Sequence, residues 1–182
     1  QTTLRMELEI VKEYIALQQM RYDFIIEMNI EDGSYLDQPT VRMLFQPLVE
    51  NAIRYGLGDD EKISIQVFED VARHFAVVTI SDSGKGLNQE EIDEINQPFD
   101  YDWEYWKNEN RGIGLRYVKA MLESFYDGQT SLFVNSKKGF GTKITILLPV
   151  REPEEKKEKD KDKEVTLEEN KVGQTDERID CR

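Results

Sequence analysis

The 182-residue sequence predicts an α+β fold, a two-layer α/β sandwich in which a mixed sheet carries helices on one face. Three observations predict it. Apolar residues recur at helical spacing in three separate segments. Short alternating runs rich in Ile, Val and Phe lie between those segments and read as strands. Composition then breaks after Val150, which confines the core-forming part to one domain.

The elements follow in order. Residues 4–22 read as a helix: Leu4, Leu8, Val11 and Ile15 form one stripe, and Met6, Ile10, Tyr14 and Leu17 form a second beside it. Two stripes imply contacts on more than one side. Phe24 to Ile30 alternates like a strand, and Glu31-Asp32-Gly33-Ser34 turns it. Gln38-Pro39 is expected to open a second helix that runs through Leu44, Phe45, Leu48 and Ile53 and stops at Gly56. Ile63 to Phe68 and Phe75 to Ile80 read as strands, and Asn88 to Ile95 as a short helix. Gly112 to Phe125 is a further helix. Leu132 to Val134 and Lys143 to Leu148 are strands, closed by Pro149.

Residues 151–182 carry 9 Lys/Arg and 12 Asp/Glu with almost no large apolar residue. Such a stretch has no face to bury and is expected to be a solvated tail. The division predicted is therefore a helix over 1–22, a domain over 23–150 and a tail over 151–182. The formal net charge is −13, which repels a phosphate backbone and argues against nucleic acid as a partner. The single cysteine, Cys181, excludes an internal disulfide framework. No run of 18 apolar residues and no signal-peptide pattern is present. The chain opens with Gln rather than Met, so it is expected to be a piece of something longer.

Four segments carry chemistry. In Ile80-Ser81-Asp82-Ser83-Gly84-Lys85-Gly86-Leu87 a strand ends in an acid followed by two glycines. A buried carboxylate accepts hydrogen bonds and donates none. It suits the exocyclic amine of adenine and faces the wrong group, a keto oxygen, on guanine. In Asn110-Arg111-Gly112-Ile113-Gly114-Leu115-Arg116 the glycines lead into a helix whose free N–H groups suit an anion. In Gln46-Pro47-Leu48-Val49-Glu50-Asn51-Ala52-Ile53-Arg54-Tyr55-Gly56, Glu50 and Asn51 sit inside an apolar helical segment. An amide oxygen there can supply one ligand of a magnesium octahedron otherwise filled by phosphate and water. Gly139-Phe140-Gly141-Thr142 turns into the last strand.

In this order and spacing the four segments resemble the ATP-binding catalytic domain of sensor histidine kinases. That superfamily is shared with gyrase, Hsp90 and MutL, and the likeness is to the subgroup with a LytS/YesM-like module. Residues 4–22 resemble the helix that leaves its histidine-bearing dimerisation segment. The resemblance covers residues 4–150 and implies a Bergerat-type ATP-binding fold. It implies that Asn51 helps hold Mg²⁺, that Asp82 holds adenine and that Gly84 and Gly86 line the base pocket. Gly112, Gly114 and Leu115 then belong to the phosphate side with Arg111, Thr142 lies near adenine, Arg54 reaches a phosphate and Glu50 assists. It further implies transfer of the γ-phosphoryl of ATP to a histidine outside this chain. The intact protein would be a membrane-anchored homodimer with a cytoplasmic catalytic domain, passing the phosphoryl group to a response regulator. Two other readings stay open: an ATPase of the same superfamily, and a non-catalytic ATP-binding regulatory module.

Tyr55 stands where the subgroup usually has His. The only histidine, His74, matches no phospho-acceptor motif and is expected at a strand edge. Residues 88–111 carry eight acids against Lys107 and Arg111, and both tryptophans, Trp103 and Trp106. They are expected to form a lid that orders against ATP or a partner domain.

Overall fold

The structure, a computed structural model, describes residues 2–57, 62–96 and 113–151. Residues 97–112, which include Arg111, Gly112 and most of the expected lid over 88–111, and residues 152–182 of the expected tail lie outside the described residues.

Thr3 caps the first helix, α1 (Leu4–Gln19), its hydroxyl oxygen accepting the Met6 N–H at 3.3 Å. Leu4, Leu8, Val11 and Ile15 are buried, and each such side chain contributes about 1.5–3 kcal/mol. Most of the second stripe is not covered among the described residues: Met6, Ile10 and Leu17 are exposed, and Tyr14 alone is partly buried against the core. The helix therefore packs on one side, where two stripes had suggested more.

A five-stranded sheet follows, with spatial order β2-β4-β5-β7-β6. Its strands are β2 (Ile25–Ile30), β4 (Lys62–Asp70), β5 (Phe75–Asp82), β6 (Ser131–Ser136) and β7 (Thr142–Pro149). The β2–β4 pair is parallel and the other pairs are antiparallel, so the sheet is mixed. On one face Ile63, Ile65, Val67, Val78, Ile80 and Ile146 join the helices in a single core. The α+β two-layer expectation is borne out.

One element differs. The residues after Gln38 do not begin a helix. Pro39–Thr40 form a short strand, β3, antiparallel to β1 (Thr2–Thr3). Thr40 is buried and accepts a hydrogen bond from the Tyr126 hydroxyl at 2.9 Å. Met43 then takes a positive φ of 57°, which no helix accommodates. The helix α2 (Gln46–Tyr55) starts later, with Pro47 in its first turn. Two further helices among the described residues join the layer. The shorter is α3 (Gln89–Asn96), opened by a reciprocal cap. Asn88 Oδ1 accepts the Glu91 N–H and Glu91 Oε2 accepts the Asn88 N–H, both at 2.9 Å. The longer is α4 (Ile113–Phe125). His74 sits in the turn before β5, with φ 57°.

Candidate functional site

The ends of β5 and β7 meet the helix layer at a cavity of about 470 Å³. Its floor is the strand-end acid. Asp82 pairs with Thr142 across the β5–β7 ladder. Its Oδ1 accepts two backbone N–H groups, from Gly84 and from Thr142, each at 3.1 Å. That fixes the carboxylate through one oxygen and leaves Oδ2 for a ligand donor. Burial pushes the Asp82 carboxyl above the usual aspartate range, and those two N–H bonds pull it back part of the way.

Glycines make room for this arrangement. A Cβ at Gly56 would overlap Asp82 Cγ, and one at Gly84 would overlap the Gly56 backbone. The end of α2 therefore lies directly against the loop that carries Asp82. Gly141 has φ +87°, and a Cβ there would meet the Asp82 carbonyl. Ser136 ties the same corner together. Its hydroxyl accepts the Leu87 N–H at 2.8 Å and donates to the Gly141 carbonyl at 2.8 Å. That spends its one proton, so in the Ser136–Thr142 hydroxyl pair at 2.9 Å Thr142 is the donor.

The residues singled out in the sequence divide clearly. Asn51, Arg54, Asp82, Gly86, Gly114, Leu115 and Thr142 line the cavity. Gly84 stands behind the floor rather than in the wall. Glu50 is not in the wall either: its Oε1 accepts a hydrogen bond from Gln46 Nε2 at 2.9 Å. Burial raises the Tyr14 hydroxyl above its usual range and the Glu50 charge adds to that, so Glu50 belongs to the α1–α2 seam. Asn51 and Gly114 are close neighbours, since a Cβ on Gly114 would stand 3.3 Å from Asn51 Nδ2. The third segment and the second thus converge on one end of the cavity.

Several wall residues had been assigned no role from the sequence. Tyr55 lines the mouth, with Lys85 Nζ 5.3 Å and the Arg54 guanidinium 5.9 Å from its ring centre. Arg116, on the first turn of α4, is buried and lines the cavity, as do Glu91 and Glu94 of α3. A charged residue in an apolar-periodic helix was the available signal for Arg116. Ser136 gave none, because a serine at a strand end is ordinary.

For magnesium, the described residues hold no cluster of three or more His, Cys, Asp or Glu side chains. Asn51 in the wall, with phosphate oxygens and water completing the shell, is a donor set that suits magnesium rather than a protein-built metal cage.

Fold and cavity together define an α+β domain built around a small-molecule site at the end of its central strands. The family model for histidine kinase-, DNA gyrase B- and HSP90-like ATPases matches residues 36–152, and the chain belongs to this ATP-binding family. The sensor protein kinase HptS of Staphylococcus aureus (strain bovine RF122 / ET3-1) is 30% identical over 148 residues. The match spans 81% of this chain and 28% of that relative, so the chain covers less than a third of the curated relatives' length. The catalytic domain of histidine kinase ThkA superposes with a TM-score of 0.60 at 17% identity, covering 81% of this chain and 93% of that one. Acinetobacter baumannii histidine kinase AdeS gives 0.60 at 18%, over 82% of this chain and 66% of that one. Both carry the same fold. The family resemblance read from the four segments is borne out.

Proposed function

We propose that this chain is the catalytic ATP-binding module of a two-component sensor histidine kinase. The observation that carries the reading is Asp82, a half-buried carboxylate in the cavity lining, anchored through Oδ1 by two backbone N–H groups. It accepts from the adenine amine and has nothing to offer the guanine keto group. Tyr55 offers a ring face to the base at the mouth. Gly114 and the first turn of α4 take the phosphates, and Arg54, Lys85 and Arg116 bring positive charge to the cavity. Asn51 would hold magnesium, which supplies charge neutralisation on the phosphates.

In the reaction a neutral imidazole nitrogen attacks the γ-phosphorus. The bond to the β,γ-bridging oxygen breaks, ADP leaves, and the imidazole loses its N–H proton. The chain contributes positioning and exclusion of water, the main requirements of phosphoryl transfer. The acceptor histidine sits on a dimerisation segment outside this chain. The phosphoryl group passes on to a response regulator, and the intact protein is a homodimer whose catalytic domain is cytoplasmic and membrane-anchored.

The test supplies γ-labelled ATP and a histidine-bearing helical segment in trans. Acid-labile phosphohistidine is expected. Free phosphate alone would support an ATPase, and no turnover with retained ATP binding would support a regulatory module. Titration with Mg-ATP and Mg-GTP completes the test, because equal affinity for both contradicts the role given to Asp82.

A further inference from the structure

Helix α2 borders the cavity, yet its own N-terminus is poorly provided. Phe45 holds the cap position with no side-chain hydrogen bond. The bond that orders the preceding residue comes from another helix. Glu7 of α1, only 3% exposed, accepts the Leu44 N–H at Oε2 at 3.0 Å. A carboxylate is rarely buried so deeply, and one beside the start of a helix meets the partial positive charge there.

The turn before it is strained. Met43, exposed, has φ 57°. A non-glycine residue stays in the left-handed region only when its surroundings over-determine it. Here Leu44 and Phe45 enter the core directly after it, and Glu7 fixes the amide between turn and helix. A second tie lies a few residues earlier. Thr2–Thr3 pair with Pro39–Thr40, and the Tyr126 hydroxyl donates to Thr40 Oγ1. Residues 2–7 thus hold the approach to α2 at Thr40 and again at Leu44.

We propose that Glu7 is a positioning residue of the nucleotide site. From α1, which contributes nothing to the cavity wall, it sets the place and rotation of α2. Asn51, Arg54 and Tyr55 take their places from that setting. The inference rests on the nucleotide-binding reading of the cavity. It makes α1 the element through which a displacement of the N-terminal segment reaches bound nucleotide, and such coupling is reciprocal.

The test titrates Mg-ATP against the full chain as wild type, Glu7→Ala, Glu7→Gln and Val11→Ala, at a temperature where each is folded. Glu7→Ala is expected to weaken binding about tenfold. Glu7→Gln, whose amide oxygen still accepts the Leu44 N–H, keeps wild-type affinity. Val11→Ala, in the same helix and the same core but with no hydrogen bond to Leu44, loses stability and keeps affinity. Hydrogen exchange at the Leu44 amide of the wild type is expected to slow with Mg-ATP, a readout that stands even if Glu7→Ala does not fold. Wild-type affinity in Glu7→Ala, an equal loss in Val11→Ala, or Leu44 exchange indifferent to nucleotide overturns the inference alone. A wild type that does not bind Mg-ATP overturns it together with the nucleotide reading.

Discussion

The floor and the mouth of the cavity are built in opposite ways. On the floor, strand termini, glycine contacts and backbone hydrogen bonds leave the Asp82 carboxylate in a fixed place. At the mouth, Arg54 and Lys85 are exposed side chains on an exposed ring. The first can discriminate, because an anchored polar group left unpaired is costly. The second can only attract, because exposed charge is screened and adaptable. On the proposed nucleotide reading, selectivity for the base and attraction for the phosphates are therefore expected to be separable by mutation.

The sharpest break in that comparison is Asp82→Asn. An asparagine oxygen can keep both backbone N–H bonds, so the loop holds its shape, while the amide NH₂ now faces the adenine amine. Mg-ATP affinity is expected to fall about a hundredfold or more, read by calorimetric titration. Stability should move the other way. Burial raises the folded-state pKa of Asp82 above its unfolded value, so the ionised form weighs against folding at neutral pH. Removing that charge leaves the melting temperature unchanged or higher. The same shift fixes the pH dependence: protonation takes away the acceptor, so affinity declines with falling pH, beginning above the 3.8 of an ordinary aspartate. A decline only at or below that value would place Asp82 in solvent.

Gly56→Ala comes next. The added methyl must displace the Asp82 carboxylate or push α2 from the loop. A destabilisation of about 1–3 kcal/mol is expected, with affinity for Mg-ATP falling about tenfold and discrimination against Mg-GTP narrowing. Lower stability with intact discrimination would show that the carboxylate holds its place without the glycine contact.

Legibility in the sequence follows the same division. Asp82 was readable because a strand that ends in an acid followed by two spaced glycines is a pattern with a mechanism. Asn51 was readable because an amide inside an apolar helical segment calls for a reason. The five strands of the main sheet were readable from alternation, and their ends fell within two residues of the expected ones. The start of α2 was misread because Pro39 looks the same at a helix start and in a short edge strand. Only the pairing with Thr2–Thr3, the Thr40–Tyr126 bond and the turn at Met43 decide between them, and all three are long-range or conformational. The place of Glu50 outside the cavity wall was hidden for a related reason. Adjacent residues on a helix point about 100° apart, and which of the two meets the cavity depends on where α1 packs. Gly56 served as a helix stop in the sequence, and its second use, contact with Asp82, exists only once β5 lies beside α2.

The smallest expected effect sharpens the comparison from the exposed end. Arg54→Gln and Lys85→Gln each remove one charge near the mouth and leave the floor untouched. Each is expected to weaken Mg-ATP about two- to fivefold at low ionic strength. The loss should shrink as salt is raised toward a Debye length of about 3 Å at 1 M. The ratio of Mg-ATP to Mg-GTP affinity should stay at its wild-type value throughout, because neither side chain meets the group that distinguishes the bases. Adenosine, which carries no phosphate, provides the internal control: its affinity should be indifferent to both substitutions and to salt, yet still fall with Asp82→Asn. If either rim substitution instead changes adenosine binding, the cations act on the base through Tyr55, and the floor and the mouth are a single recognition unit rather than two.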